Sequence, residues 1–249
     1  MAIRVTIDGQ TTSVDNGTTI LAAARNMGIK IPTFCQNDAV EPYAVCRVCV
    51  VEASDGNGWS KVVTSCNYEV FDGMVVNTQS ENVVEARRVI LDLMLSAHPG
   101  APAVRELAAE YGVTKPSYQG EPGDDCILCG LCVRVCDQIV GVTALGFSQR
   151  GPARRMATPF DEASPTCIGC GSCVHVCPTQ CLYIEDEENK RVLFKQTREH
   201  VLKQFDLLPC NSCGKPFLPK EQLTYVQKKF KLPKRLLETC STCGGPKLS

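Results

Sequence analysis

The chain opens with short stretches in which apolar and polar positions alternate, the period of a half-buried β-strand. Residues 3–7 alternate in this way and lead into Asp8-Gly9, after which a second extended run follows. This pattern predicts a hairpin with a tight turn. A threonine then precedes a helical stretch over residues 20–27, which Gly28 ends. A hairpin followed by a helix is the opening of a β-grasp domain.

Periodicity predicts further strands and helices up to residue 111. Residues 47–52 and 60–64 are rich in β-branched side chains and flank a glycine-rich turn, so they predict a second hairpin. Residues 74–78 predict one more short strand. Apolar side chains recur at helical spacing over residues 81–97, which predicts an amphipathic helix, and a shorter helix is predicted over residues 104–111.

Beyond residue 111 the pattern is more interrupted. Residues 112–125 hold two prolines and several glycines and predict a linker. Tyr183–Phe194 predicts a hairpin that turns across an acidic stretch, and residues 198–207 predict a helix. With these strands and helices, the predicted fold class is α+β.

The cysteine content adds chemistry to this picture. The 249 residues include seventeen cysteines, about 7% of the chain, which is close to the level of a cysteine-built scaffold. No stretch of 18 apolar residues is present, so the sequence predicts no membrane span, and residues 1–9 lack the long apolar stretch of a secretory signal. We therefore expect a cytoplasmic protein, in which thiols stay reduced and dense cysteines favour metal over disulfides.

The first set of cysteines has the spacing Cys35-x10-Cys46-x2-Cys49-x16-Cys66. The plant-type [2Fe–2S] pattern is C-x4-C-x2-C with a distant fourth cysteine. Here the first gap is longer, but the central C-x2-C pair is kept. On the loops of a β-grasp domain, four such thiolates predict one [2Fe–2S] cluster. The alternative is four independent buried cysteines.

Two ferredoxin-type runs follow. They are Cys126-x2-Cys129-x2-Cys132-x3-Cys136 and Cys167-x2-Cys170-x2-Cys173-x3-Cys177-Pro178. In such runs three closely spaced cysteines bind one [4Fe–4S] cluster, and the fourth binds the other cluster. The first cluster is therefore assigned Cys126, Cys129, Cys132 and Cys177, and the second Cys136, Cys167, Cys170 and Cys173. Zinc sites are the alternative, but zinc rarely uses this spacing.

The last set is Cys210-x2-Cys213 and Cys240-x2-Cys243, with a glycine after each pair. Its spacing predicts a four-cysteine ribbon that binds one Zn²⁺. A further Fe–S cluster, an unmetallated pair of C-x2-C sites and a redox dithiol are the alternatives. The seventeenth cysteine, Cys181, is predicted to be a small buried side chain.

These sets divide the chain into four predicted modules. They are a [2Fe–2S] β-grasp domain over residues 1–80, a helical connector over 81–120, a domain with two [4Fe–4S] clusters over 121–195 and a four-cysteine metal module over 196–249. Residues 210–249 carry a net charge of +6 against −7 for residues 1–209, which marks the last module by composition. No phosphate-binding loop, dinucleotide fingerprint or Ser/His/Asp spacing is present in the sequence, so no catalytic residue is predicted.

Several longer motifs resemble a known family of iron–sulfur subunits. They are Cys46-Arg47-Val48-Cys49-Val50-Val51-Glu52, Asp72-Gly73-Met74-Val75-Val76, the run from Cys126 to Asp137, and Gly141-Val142-Thr143-Ala144-Leu145-Gly146-Phe147. Through them, residues 1–200 resemble the N-terminal iron–sulfur region of the large peripheral subunit of respiratory NADH dehydrogenase, complex I. They also resemble the matching region of NAD-linked and electron-bifurcating hydrogenases, and the small diaphorase subunit of NAD-reducing hydrogenases.

The chain departs from that family in two places. The family normally carries a further [4Fe–4S] site of one histidine and three cysteines, H-x3-C-x2-C-x5-C, after the long helix. Here His98-Pro99-Gly100 is present but the three cysteines are not. We therefore expect that cluster to be missing and His98 to have a structural role. The chain also ends in the basic four-cysteine module where the family continues into a catalytic domain, so we expect the catalytic site on another polypeptide.

The resemblance implies an electron-transfer subunit, without catalytic residues of its own, in a multisubunit flavin-dependent NAD(P)-linked oxidoreductase. The implied partners are a flavin- and NAD-binding subunit, a thioredoxin-like [2Fe–2S] subunit, and a separate catalytic subunit such as a hydrogenase or formate dehydrogenase. Soluble ferredoxin is a further candidate partner. The first expectation is an electron-bifurcating hydrogenase or a ferredoxin:NAD(P) oxidoreductase or transhydrogenase. The alternative is an NAD-dependent formate dehydrogenase or a complex I-like enzyme.

Two other classes of function compete with this one on the residues themselves. The basic C-terminal module is compatible with a metal-stabilised nucleic-acid-binding or regulatory protein. Few aromatic side chains accompany the lysines there, so a basic face that docks an acidic protein is favoured and no nucleic-acid partner is predicted. A free-standing ferredoxin is the other alternative, and the extra modules argue for fixed partners instead.

Overall fold

The computed structural model describes residues 2–118, 124–233 and 237–245. It confirms the predicted α+β class. The chain forms two compact units, residues 1–129 and residues 130–249, and each is described by itself.

The first unit is built on a five-stranded sheet. Its strands are β1 (Ile3–Ile7), β2 (Gln10–Val14), β3 (Val50–Ser54), β4 (Ser60–Thr64) and β5 (Met74–Asn77), in the order β2-β1-β5-β3-β4. Strands β1 and β5 are parallel, and the other neighbours are antiparallel. Both predicted hairpins are therefore present, as is the predicted strand over residues 74–78.

The helix α1 (Ile20–Asn26) covers this sheet. Thr19 caps its first turn, since the Thr19 hydroxyl oxygen accepts a hydrogen bond from the backbone N–H of Ala22 at 3.3 Å. Four side chains of α1 are buried against the alternating inward side chains of β1, β3 and β5. A hairpin, a helix and three further strands with this pairing form the β-grasp arrangement that the sequence predicts.

Two helices complete the first unit, α2 (Glu81–Ala97) and α3 (Pro102–Glu110). The predicted bounds of α2 are confirmed, and its buried face is more polar than its pattern indicates. Its buried residues are Val83, Arg87, Leu91, Leu95 and Ser96. Two apolar residues that helical spacing assigns to the packed face, Val89 and Leu93, are instead 51% and 53% exposed.

The second unit begins with short helical segments in the ferredoxin runs. The helix α4 (Leu131–Arg134) continues into a π-helical turn over Val135–Val140, and α5 (Ser172–His175) lies in the second run. A two-stranded ribbon, β6 (Gly146–Ser148) and β7 (Arg155–Ala157), lies between the two runs.

A four-stranded antiparallel sheet forms the rest of the second unit. Its strands are β8 (Leu182–Glu187), β9 (Lys190–Lys195), β10 (Thr197–Pro209) and β11 (Pro216–Pro219), in the order β11-β10-β9-β8. The predicted hairpin over residues 183–194 is β8 and β9. This sheet continues across residues 195 and 196, where the sequence predicts a module boundary.

The helix predicted over residues 198–207 is wrong, because this stretch is the strand β10. The pairing of β10 with β9 shifts register between Val201 and Lys203, which leaves Leu202 as an extra residue. That bulge places the buried side chains of Leu202 and Phe205 three residues apart. A spacing of three imitates a helical period, and this is why the periodicity misleads.

The last elements are α6 (Lys220–Phe230) and a 3-10 turn over Ser241–Cys243. Three of the basic residues of the C-terminal module, Lys234, Arg235 and Lys247, lie outside the described residues, as do residues 119–123 of the predicted linker. Within the described ranges, no helix is both long enough and apolar enough to cross a bilayer.

Candidate metal centres

The first four cysteines lie on two loops of the β-grasp unit. Cys35, Cys46 and Cys49 belong to the connection between α1 and β3, and Cys66 follows β4. Because Val50 pairs with Thr64, Cys49 and Cys66 lie at the same end of the β3–β4 hairpin. All four side chains are at most 8% exposed.

The four thiols contact one another. Cys35 hydrogen-bonds with Cys46 and with Cys66, and Cys49 hydrogen-bonds with Cys66. These contacts from Cys46 and Cys66 lower the pKa of Cys35 to about 2, and Cys66 lowers the pKa of Cys49 to about 6. In return they raise the pKa of Cys46 and of Cys66. The four sulfurs are therefore linked by a chain of shared hydrogen bonds, which suits a site where metal displaces the protons.

Backbone contacts fix the shape of this site. The buried Ser65 donates from both its hydroxyl and its N–H to the carbonyl of Cys49, at 2.7 and 3.1 Å. Ala44 and Arg47 adopt positive φ values of 54° and 62°, which non-glycine residues rarely do. The loop is thus curled around the cysteines at a conformational cost that the surrounding contacts hold in place.

The two ferredoxin runs repeat the same backbone conformation. Leu128 and Gly169 stand between the first and second cysteines of their runs, with φ of 53° and 72°. Gly130 and Gly171 follow the second cysteines, with φ of 73° and 79°. Each run then enters a four-residue helix, α4 or α5. The duplication seen in the sequence is therefore also a duplication of local structure.

Four cysteines of the second unit line a single apolar cavity. They are the four that the sequence assigns to the second [4Fe–4S] cluster, Cys136, Cys167, Cys170 and Cys173. Side chains such as Leu145, Ile168, Ile184 and Leu193 form the remaining wall. Burial raises the pKa of three of these thiols, and neighbouring cysteines of the same set raise it further. An apolar pocket lined by four cysteines fits a cluster that binds thiolates and is shielded by apolar side chains.

The loop of this cavity leaves no room for a side chain at Gly169. A Cβ at Gly169 would lie 3.0 Å from Pro219 and 3.1 Å from Phe205, and its φ of 72° disfavours a side chain as well. The backbone N–H of Ala144 lies 3.3 Å from the Cys136 sulfur, and the Ser172 hydroxyl lies 3.4 Å from the Cys170 sulfur. Such contacts to sulfur are those that set the properties of an Fe–S site.

Two cationic side chains hold the same loop from the sheet. Lys203 on β10 donates to the carbonyls of Ser164 at 2.7 Å and Cys167 at 2.9 Å. Arg191 on β9 donates to the carbonyl of Gly169 at 3.2 Å and forms a two-pronged ion pair with Asp186. The strand β10, which the sequence wrongly predicts as a helix, thus supplies a hydrogen bond from Lys203 to the backbone of the candidate ligand Cys167.

The other four cysteines of the two runs are those that the sequence assigns to the first [4Fe–4S] cluster, Cys126, Cys129, Cys132 and Cys177. The division between the two units falls after Cys129, inside the first run. The first three are buried, each 8% exposed. Within the first unit, the Nδ1 of His98 lies 2.8 Å from the carbonyl oxygen of Asp124, two residues before Cys126. His98 therefore has a backbone contact near a candidate ligand, and its structural role stays a prediction.

Cys181 is buried, 5% exposed, and its sulfur lies 3.6 Å from that of Cys177. This contact lowers the pKa of Cys177 to about 5. In the sequence, the only sign of the contact is the four-residue spacing of the two cysteines. That Cys181 is not itself a ligand stays a prediction.

The last four cysteines form the tightest set. The sulfurs of Cys210, Cys213, Cys240 and Cys243 all lie within 4.8 Å of one another, and the Cys213–Cys240 distance is 3.9 Å. A Zn–S bond of about 2.3 Å places tetrahedral sulfurs about 3.8 Å apart. In a [4Fe–4S] cluster each thiolate binds a different iron, which spreads the sulfurs further. The spacing therefore fits one tetrahedral ion.

Backbone groups support this site as well. The N–H groups of Cys240 and Ser212 donate to the Cys210 sulfur at 3.3 and 3.4 Å. With the other backbone donors around it, they lower the pKa of Cys210 to about 6. Contacts with the other thiols of the set raise the pKa of Cys243 to about 12. Gly214 and Gly244, which follow the two pairs, have φ of 72° and 93°, so both knuckle turns use the left-handed region that glycine favours.

Two of these cysteine-containing regions match protein-family models. Residues 1–81 match a 2Fe-2S iron-sulfur cluster binding domain. Residues 166–216 match a 4Fe-4S dicluster domain. The second match includes the run from Cys167 to Cys177 and extends to Cys210 and Cys213.

Curated relatives resemble the chain over most of its length. One subunit of the NADH-quinone oxidoreductase of Rhizobium meliloti is 34% identical over 175 residues, 60% of this chain and 20% of the relative. NADP-reducing hydrogenase subunit HndD of Solidesulfovibrio fructosivorans is 36% identical over 188 residues, 64% of this chain and 32% of the relative. The chain is a homologue of these oxidoreductase and hydrogenase subunits. It spans less than a third of the length of either one.

A solved structure resembles this chain in fold and in sequence. It is the NAD+-reducing [NiFe]-hydrogenase in the H2-reduced state, with a TM-score of 0.56 and 28% identity. The match covers 63% of this chain and 74% of that one. The expected resemblance to NADH dehydrogenase and NAD-linked hydrogenase subunits is thereby confirmed.

Proposed function

We propose that this chain relays single electrons within an NAD(P)-linked oxidoreductase complex, between a flavoprotein subunit and a separate catalytic or ferredoxin-docking subunit. The observation that carries the proposal is the gathering of cysteines into groups of four, at the loops of the β-grasp unit, in the cavity of the second unit and at the C-terminal site. The names of the relatives, which include NADPH-Fe(3+) oxidoreductase subunit alpha of Geobacter sulfurreducens (36% identical over 179 residues), support the nicotinamide link. In this role the cofactors supply the redox chemistry and the chain positions and shields them.

The ligand sets are part of the proposal. Cys35, Cys46, Cys49 and Cys66 would hold a [2Fe–2S] cluster. The thiol contacts that join Cys35 to Cys46 and Cys66, and Cys66 to Cys49, support one site shared by all four. The cavity in the second unit supports Cys136 joining Cys167, Cys170 and Cys173 around a [4Fe–4S] cluster. The remaining set of the two runs, Cys126, Cys129, Cys132 and Cys177, follows from the crossed pattern of the sequence.

The kind of complex is proposed from the relatives alone. An electron-bifurcating hydrogenase or a ferredoxin:NAD(P) oxidoreductase is our first choice, and an NAD-dependent formate dehydrogenase or complex I-like enzyme is the second. In each case the partners would be a flavin- and NAD-binding subunit, a thioredoxin-like [2Fe–2S] subunit and a catalytic subunit.

Metal analysis of the chain tests the proposal. When the chain is purified without oxygen, we expect about ten irons and a matching amount of acid-labile sulfide, from one [2Fe–2S] and two [4Fe–4S] clusters. Dithionite should bleach the visible absorption and produce signals of both cluster types in electron paramagnetic resonance. A content of about two to four irons per chain would contradict the proposal, because at least one of the two larger clusters would then be missing.

The fourth site is proposed to hold zinc. We expect about one zinc per chain, and we expect Cys243→Ser to remove it while the iron content stays unchanged. The thermal unfolding midpoint should also fall, since binding energy at a structural zinc site is folding energy. About fourteen irons and no zinc in the unmodified chain would instead assign this site to a third [4Fe–4S] cluster.

A further inference from the structure

Arg87 has no place in the function described so far, yet its side chain is among the most deeply buried in the chain. It lies on α2 between Val83 and Leu91, on the face that packs into the first unit. Its exposed fraction is 0%. Arginine is always charged in proteins and is almost never fully buried unless it is paired. A buried arginine therefore requires a charge partner.

The contacts of Arg87 are all with neutral groups. Nε donates to the carbonyl of Val48 at 3.2 Å, and Nη2 donates to the carbonyl of Val50 at 2.6 Å. Nη1 donates to the Tyr111 hydroxyl at 2.8 Å, and the guanidinium lies 5.6 Å from the centre of that ring. Among the residues that the structure describes, no carboxylate forms an ion pair with it. Each of its three nitrogens donates a hydrogen bond, but none of these bonds goes to a negatively charged group.

The two carbonyls that Arg87 binds belong to the residues on either side of Cys49. The guanidinium is thereby fixed beside the loop that carries a candidate ligand of the [2Fe–2S] site. Four thiolates and two sulfides outweigh the charge of two irons, so such a site is net negative when oxidised and one charge more negative when reduced. Buried charges in proteins are paired or bound to metals. The net negative charge of such a site would provide the charge partner that Arg87 lacks among the described residues.

We propose that Arg87 is the buried counter-charge of the [2Fe–2S] site and raises its reduction potential. The inference rests on the proposed cluster ligands Cys35, Cys46, Cys49 and Cys66. A fixed positive charge stabilises the more negative, reduced state, and its effect is larger in a desolvated position than at the surface. Arg87 acts through its hydrogen bonds to the loop that carries Cys49 and through the electrostatic field of its charge, so it is a positioning residue.

A redox titration of the full chain tests this. The [2Fe–2S] signal is followed by electron paramagnetic resonance at a temperature where the [4Fe–4S] signals are broadened. In Arg87→Gln, the ratio of reduced to oxidised cluster at the wild-type midpoint should fall about tenfold, which is a shift of about 59 mV for one electron. An unchanged midpoint would overturn the proposal, because removal of a buried counter-charge must lower the potential.

The neighbouring residue provides a matched control. Arg88→Gln removes the same formal charge from the same helix, but the Arg88 side chain is 53% exposed. Solvent and salt screen an exposed charge, so its ratio should change less than twofold. An equal shift in both variants would contradict a role specific to the buried guanidinium.

If Arg87→Gln does not fold, Arg87→Lys tests whether the charge at this position affects the reduction potential. Lysine keeps the charge and loses the planar fork. If the ratio of reduced to oxidised cluster in Arg87→Lys stays within threefold of the wild-type ratio, the result supports a role for the charge. A tenfold fall of this ratio, although the charge is retained, overturns the proposal. If the wild-type chain itself lacks a [2Fe–2S] signal, the proposed function fails; if the signal is present and the variants do not shift it, only the role of Arg87 fails.

Discussion

Replacing Cys49 with alanine is expected to remove the [2Fe–2S] cluster and spare the two [4Fe–4S] clusters. Iron should fall from about ten to about eight per chain, with loss of the [2Fe–2S] signal alone. Cys49 is 1% exposed, its carbonyl is fixed by Ser65, and its thiol contacts Cys66. Alanine offers no ligand atom, and the burial of this position opposes replacement of the thiolate by water. The first unit should also unfold at a lower temperature, because metal binding is coupled to folding.

Cys181→Ala is the control for that substitution. It removes a buried thiol, 5% exposed, that is predicted not to bind metal. We expect its iron and sulfide content to equal that of the unmodified chain. Ten irons retained in Cys49→Ala would show that Cys49 is not a ligand, and a loss of iron in Cys181→Ala would make Cys181 one.

Local signals in the sequence are sufficient to predict the fold of the β-grasp unit. Each hairpin has a turn between two alternating stretches, and a capping residue precedes each of the helices α1 and α2. Thr19 and Ser80 accept hydrogen bonds from the first turns of these helices, as their position in the sequence indicates. Cysteine spacing is similarly informative, because a cluster requires ligands at fixed separations and the chain must bend in the same way each time. The repeated φ values of the two ferredoxin runs are this constraint expressed in the backbone.

What the sequence does not reveal depends on tertiary context. A bulge at Leu202 changes the period of β10, and no residue type announces it. Arg87 occupies the buried face of α2, where apolar periodicity counts it as polar and therefore exposed. Its spacing of four from both Val83 and Leu91 is the available signal. A charged residue in the middle of an apolar helical face, close in sequence to a ligand loop, is worth testing as a counter-charge.

Replacing Cys136 is expected to damage the cluster of the second run, although Cys136 lies in the first. Its side chain lines one cavity with Cys167, Cys170 and Cys173. Its thiol pKa is raised by burial, which indicates a sulfur held away from water. Cys136→Ala should therefore lose about four of ten irons, and the spectrum of the [4Fe–4S] cluster that remains should equal that of Cys170→Ala.

Cys129→Ala is the matched comparison, since it should also lose about four irons but leave the other cluster. Comparing the residual spectra separates the crossed arrangement from one in which each run binds its own cluster. In the crossed arrangement, Cys136→Ala leaves the same residual spectrum as Cys170→Ala, and Cys177→Ala leaves the same residual spectrum as Cys129→Ala. If Cys136→Ala instead leaves the same residual spectrum as Cys129→Ala, the cavity in the second unit is not the cluster site. The crossed ligand also has a physical consequence: each run then depends on the other for its fourth thiolate, so neither cluster can be lost without leaving an unligated cysteine beside the cluster that remains.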